Sequence, residues 1–282
     1  MTNAQTTLLL GGRIHSPASA DATALAITGD TVVWIGQDGP ARALHPGAEV
    51  IDLDGAFVTP GFVDAHVHAT ATGLHRTGLD LTTVRNAGEL LAAVHDAARP
   101  GEVLIAHGWD ESRWDSPRLP SRSELDTAAG GVAVYLSRVD VHSALLSTAL
   151  AALTPEAREA DGWSEDGPLT RAAHHLIRSA MRDAVTAPQR LRSQEAFLRA
   201  AAARGIVSVH ECAGPDISGE DDLTGLLALA GPEHPEVIGY WGELGAVDTA
   251  RRLGVRGLAG DLFVDGALGS HTAALHAPYT DE

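Results

Sequence analysis

The apolar positions between residues 6 and 59 fall in short runs, TTLLLGGRIH, ALAITGD, TVVWIG, EVIDLDG and AFVTP, separated by Gly and Asp. Short strands bounded by turn residues make hairpins, and the segment reads as a small β-sandwich. From Pro60 the rhythm changes. TPGFVDAHVHAT is a strand opened by Pro60 and Gly61. Between Leu74 and about Gln194, strand-like runs (EVLIAHGWD, GVAVYLSRVDVHS) mix with helices, and SRSELD marks a helix start with Ser121 as N-cap and Glu124 three residues on. An alanine- and arginine-rich helix is predicted from Pro188 to Arg204, closed by Gly205.

GIVSVHECAG follows as a buried strand, PDISGEDD as a loop, LTGLLALAG as a helix, PEVIGYW as a strand, Val247 to Leu253 as a helix, and GDLFVDGALG as a strand. Strands alternating with helices predict parallel βαβ units. The expected division is therefore residues 1–59 as a β-rich domain and 60–282 as an α/β domain.

Composition narrows the chemistry. A net charge of −17 argues against nucleic acid or an anionic membrane as partner. It fits a well-solvated cytoplasmic protein acting on a small molecule. The single cysteine, Cys212, allows no internal disulfide and sits beside Glu211 with no basic partner in sequence, which disfavours a thiolate nucleophile. The apolar run Leu8 to Leu10 is too short for a signal core or a membrane span. All 20 basic residues are arginine, which excludes Schiff-base lysines, Ser-Lys dyads, the P-loop and a carbamylated lysine. No HExxH, GxGxxG or GxSxG occurs.

The strongest chemical signal is His66-Val67-His68. Side chains alternate along a strand, so Asp64, His66 and His68 share one face, and Val63, Ala65 and Val67 share the other, toward covering helices. Two imidazoles on one face can chelate a divalent ion, zinc, iron or nickel, and such an ion lowers the pKa of bound water to about 7. Two histidines on an exposed strand edge would give the same sequence pattern.

TPGFVDAHVH resembles the first barrel strand of the amidohydrolase superfamily, whose pattern is Pro-Gly, two hydrophobic residues, then D-x-H-x-H. AHGWD, VYLSRVDVHSALLSTAL and LFVDGALGSHTA resemble, in order, the branch containing YtcJ-like proteins and N-substituted formamide deformylases. The resemblance implies a partial (β/α)8 TIM-type barrel of about strands 1–4, following a small N-terminal β-sandwich and interrupted after strand 1 by an α+β insertion at about 74–194. GIVSVHE is similar to strand 2, VIGYW to strand 3 and DLFVDG to strand 4. It implies one or two divalent ions, zinc foremost, with His66 and His68 as ligands. Many relatives carry a carbamylated lysine where this chain has Asp261. That aspartate either replaces the carbamate as a ligand or caps the strand start.

Other positions carry competing readings. His210 ends the second barrel strand, where it either lines the pocket or is a hydrogen-bonded buried histidine. Trp109, Asp110, Arg138 and His142 come from the insertion, which in the family lies over the pocket. An Arg-Asp pair there is also an ordinary structural ion pair. Asp265 with Gly266 shapes the pocket loop, and Gly266 and Gly269 suit a tight turn. His174 and His175 are expected on a partly exposed helix surface, and His271 and His276 are poor matches to ligands from later strands.

The resemblance implies hydrolysis of a carbon–nitrogen bond other than a peptide bond, in an amide, formamide or cyclic amide. A barrel needs about 250 residues, so the chain is expected to be an N-terminal portion. The general base and further ligands would then lie in a complementing C-terminal half. A homo-oligomer, a mononuclear deaminase and a non-catalytic metal-binding remnant are the alternatives.

Overall fold

The computed structural model describes residues 5–215, 217–262 and 274–279. The chain divides into two compact units, Met1–Phe62 and Val63–Glu282. The first holds β1 (Thr6–Leu10), β2 (Arg13–Ile14), β3 (Ala24–Thr28), β4 (Thr31–Gly36), α1 (Asp38–Leu44), β5 (Glu49–Asp52) and β6 (Phe57–Val58). One sheet runs β4-β3-β1-β5 and a second pairs β2 with β6. The strand β1 is antiparallel to β3 and parallel to β5. Period-two alternation puts Leu8 and Leu10 into a core with Ala24, Ala26 and Ala41. The sequence reading did not predict α1. Its seven residues include Gly39 and Pro40, too few for a visible helical period, and it is held by tertiary contact: Thr23 Oγ1 donates to Asp38 Oδ1 at 2.7 Å.

The second unit opens with β7 (Phe62–Val67) and α2 (Ala69–Thr77). A layered segment follows: β8 (Leu79–Asp80), α3 (Ala87–Ala97), β9 (Leu104–Trp109), α4 (Arg122–Ala129), β10 (Val134–Arg138), β11 (Ala144–Leu146), α5 (Thr148–Ala151) and α6 (Arg171–Ala184). The chain returns through α7 (Ala187–Ala202), β12 (Ile206–Ala213), α8 (Gly219–Ala228), β13 (Glu236–Trp241), α9 (Val247–Leu253) and β14 (Gly257–Leu258).

The layered segment has its own sheet, ordered β11-β10-β9-β8, with β8, β9 and β10 parallel and β11 antiparallel to β10. Successive residues of β10 serve opposite sides. Val134 and Leu136 join Leu90, Val94 and Leu125 in one core, while Tyr135 joins Leu150 and Ile177 in another. At the start of α4, Ser121 and Glu124 form the predicted capping box.

The other sheet runs β14-β13-β12-β7, in the order of the chain, with β12, β13 and β14 parallel. Val67 and Val209 pack against Phe197, Leu198 and Leu226 from α7 and α8. On β7 only Val67 of the expected helix-facing set is buried. Val63 is 54% exposed and Ala65 is exposed, because the core contributed by α7 and α8 reaches β7 only at its last residue. The predicted loop around Glu220 to Asp222 is instead the first turn of α8, where three carboxylates complement the positive helix end. The strand predicted over GDLFVDGALG lies almost wholly outside the described residues. β14 ends at Leu258, Asp261 follows it in non-strand backbone, and residues 263–273 lie outside the described residues. Among the described residues no helix is long and apolar enough to cross a membrane.

The helices α2 and α7 approach closely at Gly73. A Cβ there would stand 2.0 Å from the Ser193 carbonyl oxygen, a backbone atom that cannot swing aside. Gly→Ala in a helix ordinarily gains about 1 kcal/mol. At Gly73 the sign is expected to reverse, with Gly73→Ala destabilising by roughly 1–3 kcal/mol. Urea denaturation checks this, and a more stable variant rejects the close packing.

Candidate metal centre

Strand β7 delivers two imidazoles to one place. His66 is its penultimate residue, and His68, one residue past its end, is the N-cap of α2. Asp261 arrives three residues after β14. Its Oδ1 lies 2.9 Å from His66 Nε2 and its Oδ2 lies 3.0 Å from His68 Nε2. The two rings meet edge to face, with centroids 5.4 Å apart and planes at 86°. One ligand atom from each residue falls within 4.8 Å of the others. Two ligands about 2.1 Å from a tetrahedral zinc lie roughly 3.4 Å apart, so the three side chains fit a single small ion. Two nitrogens and a carboxylate oxygen are also the donor types such an ion prefers. Asp64 Oδ1 accepts the His66 backbone N–H at 3.3 Å.

His68 and Asp261 line a cavity of about 1310 Å³, bounded also by α6 and the start of α8. On its wall lies Glu211, which the sequence reading did not single out as a site residue. It is fully buried, and its Oε2 accepts the backbone N–H of Ala69 at 2.7 Å. Burial, reinforced by Asp222 and Asp261 nearby, pushes its carboxyl up to about 8 against the opposing pull of that N–H. Next to it Asp222, also buried, accepts from Thr70 Oγ1 at 2.8 Å and pairs with Arg190 Nε at 3.4 Å. Gln194 Nε2 donates to Thr70 Oγ1 at 2.9 Å and to the Asp222 carbonyl at 3.0 Å. The available signal was a carboxylate inside the apolar run GIVSVHECAG.

Among the described residues, none of the remaining pocket candidates lines this cavity. His210 does not line this cavity, and its ring contacts Tyr240 at 5.6 Å. Trp109 is fully buried in the layered segment, with its indole N–H on the Leu136 carbonyl at 2.8 Å. It is a core residue there and not a wall of the cavity. Arg138 gathers three carboxylates, Asp110 at 3.2 Å, Glu111 at 2.9 Å and Asp140 at 2.6 Å, and His142 donates its backbone N–H to Asp140 at 3.0 Å. Arg138 and Asp110 thus belong to an ion-pair network of the layered segment. Asp265, Gly266, Gly269 and His271 lie outside the described residues. His276 is described, in a bend.

His174 differs from the expected helix surface. It shares the buried face of α6 with Ala173, Ile177 and Met181, its Nε2 sits 2.8 Å from Tyr135 Oη, and burial lowers its pKa to about 4. His175 is the exposed neighbour and lines the cavity.

Residues 49–282 match the model of the amidohydrolase family, and the chain belongs to that family. It is 27% identical to YtcJ of Bacillus subtilis over 266 residues, covering 84% of this chain and 49% of that protein. It is 29% identical to the N-substituted formamide deformylase of Arthrobacter pascens over 177 residues, covering 56% of this chain and 32% of that protein. A crystal structure of an uncharacterized metal-dependent hydrolase from Pyrococcus furiosus superposes with a TM-score of 0.80 at 25% identity, over 98% of this chain and 60% of that one. The chain thus spans about half the length of YtcJ.

The raised Glu211 pKa has a measurable consequence. The folded chain holds this proton more tightly than the unfolded one. The stability Glu211 contributes is therefore complete below the ordinary carboxylate range and is lost as pH rises through about 8. With chelator present, thermal stability is expected to fall more steeply between about pH 5 and pH 8 in the unsubstituted chain than in Glu211→Gln, whose side chain stays neutral. Parallel stability curves would reject a protonated Glu211.

Proposed function

We propose that the sheet β7-β12-β13-β14 is the first half of a (β/α)8 barrel, and that its protein is a metal-dependent hydrolase of carbon–nitrogen bonds other than peptide bonds. The observation that carries this reading is the convergence of His66, His68 and Asp261, contributed by the first and fourth strands, on one point. The position suits the rule that barrel sites lie beyond the C-terminal ends of the strands, since His68 and Asp261 both follow their strands. A single divalent ion, zinc by its donor set, is the proposed occupant. Such an ion supplies Lewis acidity and a nucleophile at neutral pH.

The chain's own residues have separate tasks. His66 and His68 present Nε2, which requires the neutral imidazole. Asp261 adds a negatively charged carboxylate oxygen to the donor set. The cavity beside them provides room for a small amide, formamide or cyclic amide. The similarity to a formamide deformylase supports this substrate class.

Elemental analysis tests the centre. The purified chain is expected to carry close to one equivalent of a divalent ion, and a variant with both His66→Ala and His68→Ala to carry none. Equal metal in both would move the site away from β7. For the reaction, the metal-loaded protein is given N-substituted formamides and cyclic amides alongside aminated heterocycles. Metal-dependent release of formate or of a ring-opened acid supports amide hydrolysis. Ammonia from the heterocycles alone would instead make it a deaminase.

A further inference from the structure

The imidazole of His68 is held less directly than that of His66. His66 lies inside β7, where the sheet fixes its backbone. His68 lies past the strand end, at the junction with α2. A residue at such a junction is free to change its φ and ψ unless the helix that follows is itself tied down. No side chain of α2's own N-terminus caps it. The first turn is instead gripped from outside, by β12 and α8. Glu211 Oε2 accepts the N–H of Ala69, the residue directly after His68, at 2.7 Å. One residue further on, Thr70 gives its hydroxyl proton to Asp222 at 2.8 Å and receives Gln194 at 2.9 Å. Glu211, Asp222 and Gln194 are 0%, 4% and 1% exposed.

Burying two carboxylates this close together is unfavourable unless hydrogen bonds offset it. Hydrophobic residues in their places would pack β12 against α2 without that cost. A carboxylate oxygen does what a hydrocarbon cannot: it fixes the direction of one particular N–H. Among the described residues, the second oxygen of Glu211, Oε1, is buried with no hydrogen-bond partner, and so is Nδ1 of His68. Both residues line the cavity that holds Asp261.

We propose that Glu211 is a positioning residue for His68, acting through the Ala69 N–H to set the junction between β7 and α2 so that the His68 imidazole faces Asp261. The role rests on the reading of His66, His68 and Asp261 as a metal centre. It needs an acceptor at position 211 and not a charge. The amide oxygen of glutamine should therefore serve, and a side chain of similar size without an acceptor should not.

The test compares the unsubstituted chain with Glu211→Gln and Glu211→Met, titrated with cobalt(II) and followed by visible absorption, with circular dichroism to verify folding. The glutamine variant is expected to bind cobalt within about threefold of the unsubstituted chain, and the methionine variant roughly 10–100-fold more weakly, the range for partners that orient a ligand. Methionine binding as tightly as glutamine overturns the proposal, as does glutamine binding as weakly as methionine. No cobalt spectrum in the unsubstituted chain overturns the metal centre itself, and the proposal with it. If the methionine variant does not fold, hydrogen exchange at the Ala69 amide decides. Exchange in Glu211→Gln as slow as in the unsubstituted chain supports the acceptor role, and exchange about tenfold faster rejects it.

Discussion

Asp261 meets His66 and His68 although the strand that precedes it, β14, lies at the other end of their sheet. β7 and β14 are the two ends of the order β14-β13-β12-β7, and strands in a sheet are spaced about 4.8 Å apart, so three intervals separate the ends by roughly 14 Å if the sheet is flat. Side chains standing perpendicular to a flat sheet would keep that separation. The contacts of 2.9 and 3.0 Å are reached because the chain beyond β14 turns back over the ends of the inner strands: a Cβ on Gly260 would stand 2.9 Å from Cys212 Cβ of β12, and one on Gly242 3.1 Å from the Asp261 carbonyl oxygen. The helices α7 and α8 cover one side of the sheet. Val67, Val209, Phe197 and Leu198 pack there, and the contact at Gly73 lets α2 lie against α7 with backbone nearly touching backbone.

The helix-covered side is not simply apolar. At the end of the sheet where the histidines emerge, Val67 and Val209 give way to Glu211, Asp222, Gln194 and Thr70. Apolar packing excludes water but does not fix direction, whereas each hydrogen bond here specifies one donor and one acceptor. The apolar part of the layer and its polar end divide the work. One closes the sheet on its helices, and the other sets the angle at which the chain leaves β7. Burial holds Glu211 protonated over much of the neutral range, which limits the electrostatic cost of two adjacent carboxyls.

Much of this was legible in the chain. The apolar runs GIVSVHECAG and PEVIGYW became β12 and β13, Val247–Leu253 became α9, and SRSELD became a boxed helix start. In each case local pattern and tertiary need agree. The HxH pair announced itself because strand alternation places both rings on one side. What stayed hidden depends on contacts distant in sequence. Glu211 looked like one more polar residue near a strand end, and only the return of β12 beside β7 gives it Ala69 as a partner. Trp109 drew attention as part of a motif, yet its indole is committed to the Leu136 carbonyl. His174 sat in a sequence with few apolar neighbours, and its burial follows from the i, i+3, i+4 spacing with Ala173, Ile177 and Met181. The helix α1 was missed because short helices are defined by their docking.

That Asp261 and the two histidines come from opposite edges of one sheet also ties ligand supply to conformational equilibrium. In an unfolded chain His66 and His68 remain neighbours and can still hold an ion weakly, while Asp261 is far away along the chain. Only the folded sheet offers all three. An ion held there would favour the folded chain over the unfolded one by RT ln(1 + [L]/Kd), less whatever affinity the local histidine pair retains. The share of molecules that are folded would then rise with the free concentration of the ion.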